Sequence, residues 1–270
     1  MTLRTRAIVL TLLFIFVYVV LQVVDLGKVI NLNQEIVKAL LVSLLFFFGL
    51  FWVLGFNVKG MRFVTILGYS SFLVFIQSLF LELVIFQHIG RISEKTISLF
   101  LLLLFGITIY FLILTVNILN ISYVSRIPLA QAAKAANFLY TLFGAYFTFL
   151  LLLRSGVGEV VEIVIFTLVI LILTLNTFWF KKESIRQLVG ETSAVVLCMI
   201  TLYLIFLMWP LSAEVASMFY IVVFYILLGL GLEERETTSV VMRIEYMLLF
   251  GVAVFLLLKL AVWGINGTAI

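Results

Sequence analysis

Long apolar runs, each close to twenty residues, alternate with short polar segments along the whole chain. Nine runs stand out, at about 7–24, 35–56, 63–86, 96–118, 135–153, 159–180, 190–209, 213–231 and 244–264. A helix that crosses the roughly 30 Å hydrocarbon core of a bilayer needs about 20 mostly apolar residues. Each run therefore predicts one membrane-spanning helix. Within a run the apolar positions are nearly continuous, as from Leu99 to Leu114. A closed β-barrel would show segments of about ten residues with alternating polarity. The pattern predicts an all-α, polytopic transmembrane helix bundle of about nine spans, a single integral membrane domain over residues 1–270.

Composition agrees. Hydrophobic residues make up 65% of the chain and charged residues 11%, against roughly 25% charged in a soluble domain. A soluble protein could not cover that much apolar surface, whereas lipid solvates the outer faces of a bundle directly. The first run follows Arg4 and Arg6, a basic start shared by signal peptides and signal anchors. The segment Val23-Val-Asp-Leu-Gly27 lacks a small-x-small cleavage site, so an uncleaved first helix is expected.

Charge adds an orientation. With the N-terminus in the cytoplasm, the inner side carries Arg4, Arg6, Lys59, Arg62, Arg126, Lys134, Lys181, Lys182, Arg186, Arg235 and Arg243. The outer side carries Lys28, Arg91, Lys95 and Arg154, while Lys38 and Lys259 fall within spans near their outer ends. Short inner loops are enriched in Lys and Arg, so this 11-to-4 division predicts N-terminus in and C-terminus out. Tryptophan favours the membrane interfaces. Trp52 and Trp179 fall at inner ends of spans, and Trp209 and Trp263 at outer ends. The net charge of +4 is thus an orientation signal, and no nucleic acid partner is expected. The expected partners are the lipid bilayer and other membrane proteins. The expected location is a bacterial cytoplasmic (inner) membrane.

Smaller signals refine the outline. Ser125-Arg-Ile-Pro128 reads as a helix start, with Ser near the cap and Pro in the first turn. The alanine-rich segment after it predicts a fifth span that begins early. Ala132 and Ala136, four apart, would allow a close helix crossing. Spans two to five and six to nine also resemble one another. Glu35 and Glu159 open corresponding spans, Arg62 and Arg186 keep the same offset, and Tyr140…Gly144 resembles Tyr246…Gly251. A leading helix 7–24 followed by two parallel four-helix units, 35–154 and 159–264, is the arrangement this suggests.

Candidate chemistry is sparse. The chain has one His (His88), one Asp (Asp25) and one Cys (Cys198). A transition-metal site needs three or four such ligands, so no metal is expected. There is no nucleotide-binding motif, no G-x-S-x-G and no cofactor motif, and no catalytic residue is predicted. Cys198 reads as a small buried hydrophobe. Asn117, Asn137 and Asn176 read as helix-to-helix hydrogen bonders, and Glu191 as a helix N-terminal acid. Glu233-Glu-Arg-Glu236 reads as a solvated cluster, and Asn266-Gly-Thr268 has the glycosylation pattern. The remaining candidates are Gln77, Glu82, Lys38, Glu162 and Lys259, all in the outer halves of their spans. They suggest an outer-leaflet polar pocket, or else side chains that snorkel to the interface and form structural pairs. Three functions fit: a non-catalytic component or subunit of an assembly, a carrier for a lipid-like or small amphipathic substrate, or a membrane-embedded lipid-modifying enzyme.

Overall fold

A computed structural model of the chain describes residues 3–23, 34–56, 58, 60, 63–86, 95–122, 128–179, 184–209, 211–232 and 240–260. Among them every expected span is a helix and no strand occurs. In chain order these are α1 (Leu3–Val23), α2 (Gln34–Val53), α3 (Tyr69–Phe80), α4 (Lys95–Ser122), α5 (Ala130–Ser155), α6 (Glu159–Trp179), α7 (Ile185–Leu207), α8 (Ala213–Leu232) and α9 (Val240–Leu260). Wider π-helical turns, Phe63–Gly68 and Leu81–Phe86, extend α3 at both ends, so its span covers 63–86. Eight of the described spans are long and apolar enough to cross a membrane, and α9 adds the apolar stretch Ile244–Leu256. The protein is a multi-pass integral membrane protein. Asp25, His88, the Glu233–Glu236 cluster and Asn266–Thr268 lie outside the described residues.

Local chemistry sets the helix ends. At the end of α2 the Gly55 N–H bonds the Trp52 carbonyl at 3.0 Å, and the Phe56 N–H bonds the Phe51 carbonyl at 3.1 Å. This pair of bonds closes the helix around a left-handed residue. Gly55 supplies it with φ of 69°, a conformation that costs glycine nothing sterically. Phe56 then folds back onto Phe51, ring centroids 4.9 Å apart, the apolar contact that accompanies such stops. The start of α5 is early, as expected, but Leu129 accepts its first bond, from the Ala133 N–H at 3.0 Å. Pro128 therefore stands just ahead of the helix and not in its first turn.

Three smaller expectations are corrected at α7. The helix begins at Ile185, where the apolar run pointed to 190. The Ser184 hydroxyl accepts from the Gln187 N–H at 3.4 Å, and Leu188 anchors the otherwise polar first turns by burial. Glu191 consequently lies in the second turn. The helix dipole acts mainly within the first, so it is not the N-terminal acid it resembled. Cys198, expected inside, lies on the exposed face of α7. Ala132 is exposed too, and the buried small residue of that turn is Ala133.

The chain forms two compact units, Met1–Gly144 and Ala145–Ile270, and the division falls within α5. In the first, α1 packs against both α2 and α4. Leu10 seats over Gly49 of α2 and Ile15 over Gly106 of α4, where a missing Cβ leaves room for each. Phe14 lies between them, 6.2 Å from Phe46 and 5.5 Å from Phe105 by ring centroids. Arg6 lies over the Trp52 ring at 5.7 Å, a cation–π contact that joins the basic N-terminal end to a tryptophan assigned to the same interface. In the second unit, Phe149, Phe166, Tyr203 and Tyr220 form the core, with centroids from 4.8 to 6.3 Å apart. On α8, Gly229 receives Tyr246 and Gly231 receives Phe178. Outward residues such as Phe16 and Leu197 are apolar, which suits lipid and would oppose solution in water.

Candidate functional site

The five candidates divide between the units. Gln77, Glu82 and Lys38 belong to the first, Glu162 and Lys259 to the second. Lys259 lies in the last turn of α9, and its side chain is outside the described residues. Lys38 is buried on α2, and none of the described hydrogen bonds or ion pairs involves it. Gln77 is half-buried, its Oε1 enclosed without a hydrogen-bond partner, as are the hydroxyls of Ser71 and Ser78 on the same helix.

Both acids are held by tyrosines from neighbouring helices. The Tyr18 hydroxyl on α1 donates to Glu82 Oε1 at 2.8 Å. Glu82 sits in the π-helical turn that ends the third span, and both residues are buried. In the second unit the Tyr203 hydroxyl on α7 donates to Glu162 Oε2 on α6 at 2.7 Å. Tyr203 is buried, whereas Glu162 is half-exposed. A carboxyl oxygen taken out of water without a donor costs far more than one that keeps a donor. Each tyrosine therefore allows an acid to sit in the bundle, and each bond fastens two helices.

Beside Tyr203 the second unit has a cavity of about 100 Å³. Its walls include Tyr203, Phe206, Trp209 and Tyr220. Tyr203 and Tyr220 are buried, with stacked planes and centroids 6.3 Å apart, and form the inner wall. Phe206 packs on Tyr220 at 5.2 Å and on Trp209 at 6.1 Å, and both of these outer residues are only half-buried. The chain turns here after α7, where the Met208 and Trp209 N–H groups bond the carbonyls of Ile205 and Phe206. That turn carries the indole onto the same wall as the rings one and two turns before it. Leu153 and Ala213 also line the cavity. Their neighbours Arg154 and Glu214 form an ion pair, in which Arg154 Nε and Nη2 both donate to Glu214 Oε1. Arg154 thus has a specific partner, where the sequence reading gave it only a loop position. The spacing Tyr203-x-x-Phe206-x-x-Trp209 was the available signal for this site, but such spacings are frequent in phenylalanine-rich helices.

A different polar group lies at the other end of α6 and α7. Asn176 is buried, and neither its Oδ1 nor its Nδ2 has a hydrogen-bond partner. The expected hydrogen bond to a neighbouring helix is absent. Thr192 is also buried, with its hydroxyl unpartnered. The Phe166–Tyr203 contact, at 4.8 Å, sets the register of the two antiparallel helices. Asn176 lies ten residues beyond Phe166 and Thr192 eleven before Tyr203, so at 1.5 Å per residue they stand at nearly the same level.

A second, shallow cavity of about 420 Å³ follows one apolar face of α9, around Gly251, and suits lipid. Among the described residues no group of three or more His, Cys, Asp or Glu side chains is placed to hold a metal ion. Comparison of the chain with protein-family models, curated proteins and solved structures finds no match.

Proposed function

We propose that this integral membrane protein is a non-catalytic membrane component, a subunit or scaffold of a larger assembly. The proposed setting is a bacterial cytoplasmic membrane, with the N-terminus inside and the C-terminus outside. The observation that supports this reading is the use made of the intramembrane acids. Glu82 and Glu162 are each tied to a tyrosine of a neighbouring helix, which is a fastening role. Purification of the full chain in mild detergent tests the proposal. Fixed partners should accompany it in constant stoichiometry. A chain isolated alone that moves a solute across reconstituted vesicles would contradict it.

A second reading, a carrier for a lipid-like or small amphipathic substrate, is favoured by the ring-lined cavity beside Tyr203, the donor to Glu162. A parallel repeat would suit a carrier. Each final helix of the two proposed repeat units leans a tyrosine on the helix before it. The Tyr140 hydroxyl donates to the Thr108 carbonyl at 2.8 Å, and Tyr246 meets Gly229. Glu162→Gln and Trp209→Leu would lower transport in vesicles under this reading, and would leave partner binding unchanged under the first.

A further inference from the structure

We propose that the ring-lined cavity of the second unit is a headgroup site, which takes the alkylammonium group of a zwitterionic phospholipid. The inference holds whether the chain is a component or a carrier. Aromatic faces attract cations through their quadrupole, indole most strongly, and clusters of such rings recognise substituted ammonium groups. Here Tyr203, Phe206, Trp209 and Tyr220, together with five leucine and alanine residues, bound a space of about 100 Å³, room for a compact cation. Glu162 accepts the Tyr203 hydroxyl proton in a 2.7 Å hydrogen bond, and so adds acceptor character behind the inner wall. Arg154 and Glu214, next in sequence to the lining residues Leu153 and Ala213, neutralise one another in an ion pair. Both described donors of Arg154 go to one carboxyl oxygen, from Nε and Nη2. Its Nη1 is left to meet a phosphate. A headgroup with its ammonium among the rings and its phosphate at Arg154 satisfies both features together. The depth agrees, since the basic-residue bias assigns this end of the unit to the outer interface.

Native mass spectrometry of the full-length chain in mild detergent tests the site. The probes are phosphocholine, phosphoethanolamine and phosphoglycerol lipids with matched acyl chains. The chain should retain the two ammonium-bearing lipids in preference to the phosphoglycerol lipid. Trp209→Leu should weaken that preference about tenfold, the scale of a lost cation–π contact, while Trp209→Phe should keep most of it. Phe206→Leu provides a second test should Trp209→Leu not fold. Displacement by excess choline chloride would show that a free alkylammonium ion suffices. Resistance to it would show that the lipid is read as a whole. Equal retention of the three headgroups would overturn the proposal. So would an unchanged preference in folded Trp209→Leu, or a loss in Trp209→Phe as complete as in the leucine variant.

Discussion

The two units solve one problem in two ways. Each holds a glutamate inside the bundle, and each gives it a tyrosine hydroxyl from a neighbouring helix. In the first unit the pair is sealed, with Tyr18 and Glu82 both buried. In the second only the tyrosine is buried, while Glu162 is half-exposed and a ring-lined cavity opens beside its donor. The same bond therefore has different consequences. In a sealed setting a lost donor leaves a carboxyl oxygen with little recourse to water, so the bond carries stability. In an open setting water or a ligand can replace the donor, so the bond is energetically modest and the surrounding groups remain available for binding.

Several substitutions would break or sharpen that contrast. The largest effect is expected for Tyr18→Phe, which removes one hydrogen-bond donor from a buried acid. It should cost about 1–2 kcal/mol, read as a lowered thermal midpoint in detergent. An unchanged midpoint would mean that Glu82 does not depend on Tyr18. Next is Asn176→Leu, which removes a buried amide with neither atom bonded. It should stabilise by about 1 kcal/mol, and clear destabilisation would show that the amide has a partner such as bound water. Tyr203→Phe should cost less than Tyr18→Phe, about 0.5 kcal/mol, near the average for hydrogen bonds between membrane helices. The smallest effect belongs to Glu214→Gln. Its ion pair with Arg154 is partly exposed on both sides, and such pairs contribute about 0–1 kcal/mol at most. A larger loss would make this ion pair a structural lock and not a place where a phosphate could compete.

The spans were legible because apolar length is a local property of sequence. All nine appear as helices, and even the early start of α5 follows from alanine content. What was missed depends on the third dimension. The start of α7 is polar in composition and is held by one buried leucine, Leu188, which a hydropathy reading discounts. The π-helical turns around α3 leave no mark in the pattern. Glu82 and Glu162 could be singled out, since charge in hydrocarbon is rare. Their partners could not, because Tyr18 and Glu82 are 64 residues apart and the chain has ten tyrosines. The cavity was missed for a related reason. Tyr203 and Phe206 lie on α7, Trp209 in the turn after it and Tyr220 on α8, so no single helix pattern describes the enclosure.

Paired double-mutant cycles test the contrast most directly. One would combine Tyr18→Phe with Glu82→Leu, the other Tyr203→Phe with Glu162→Leu, each read by thermal stability in the same detergent. A coupling of about 1 kcal/mol or more is expected for the sealed pair, and less than half of that for the open pair. Equal couplings, or a larger one for Tyr203 and Glu162, would contradict the assignment of a structural role to the first pair and an accessible one to the second.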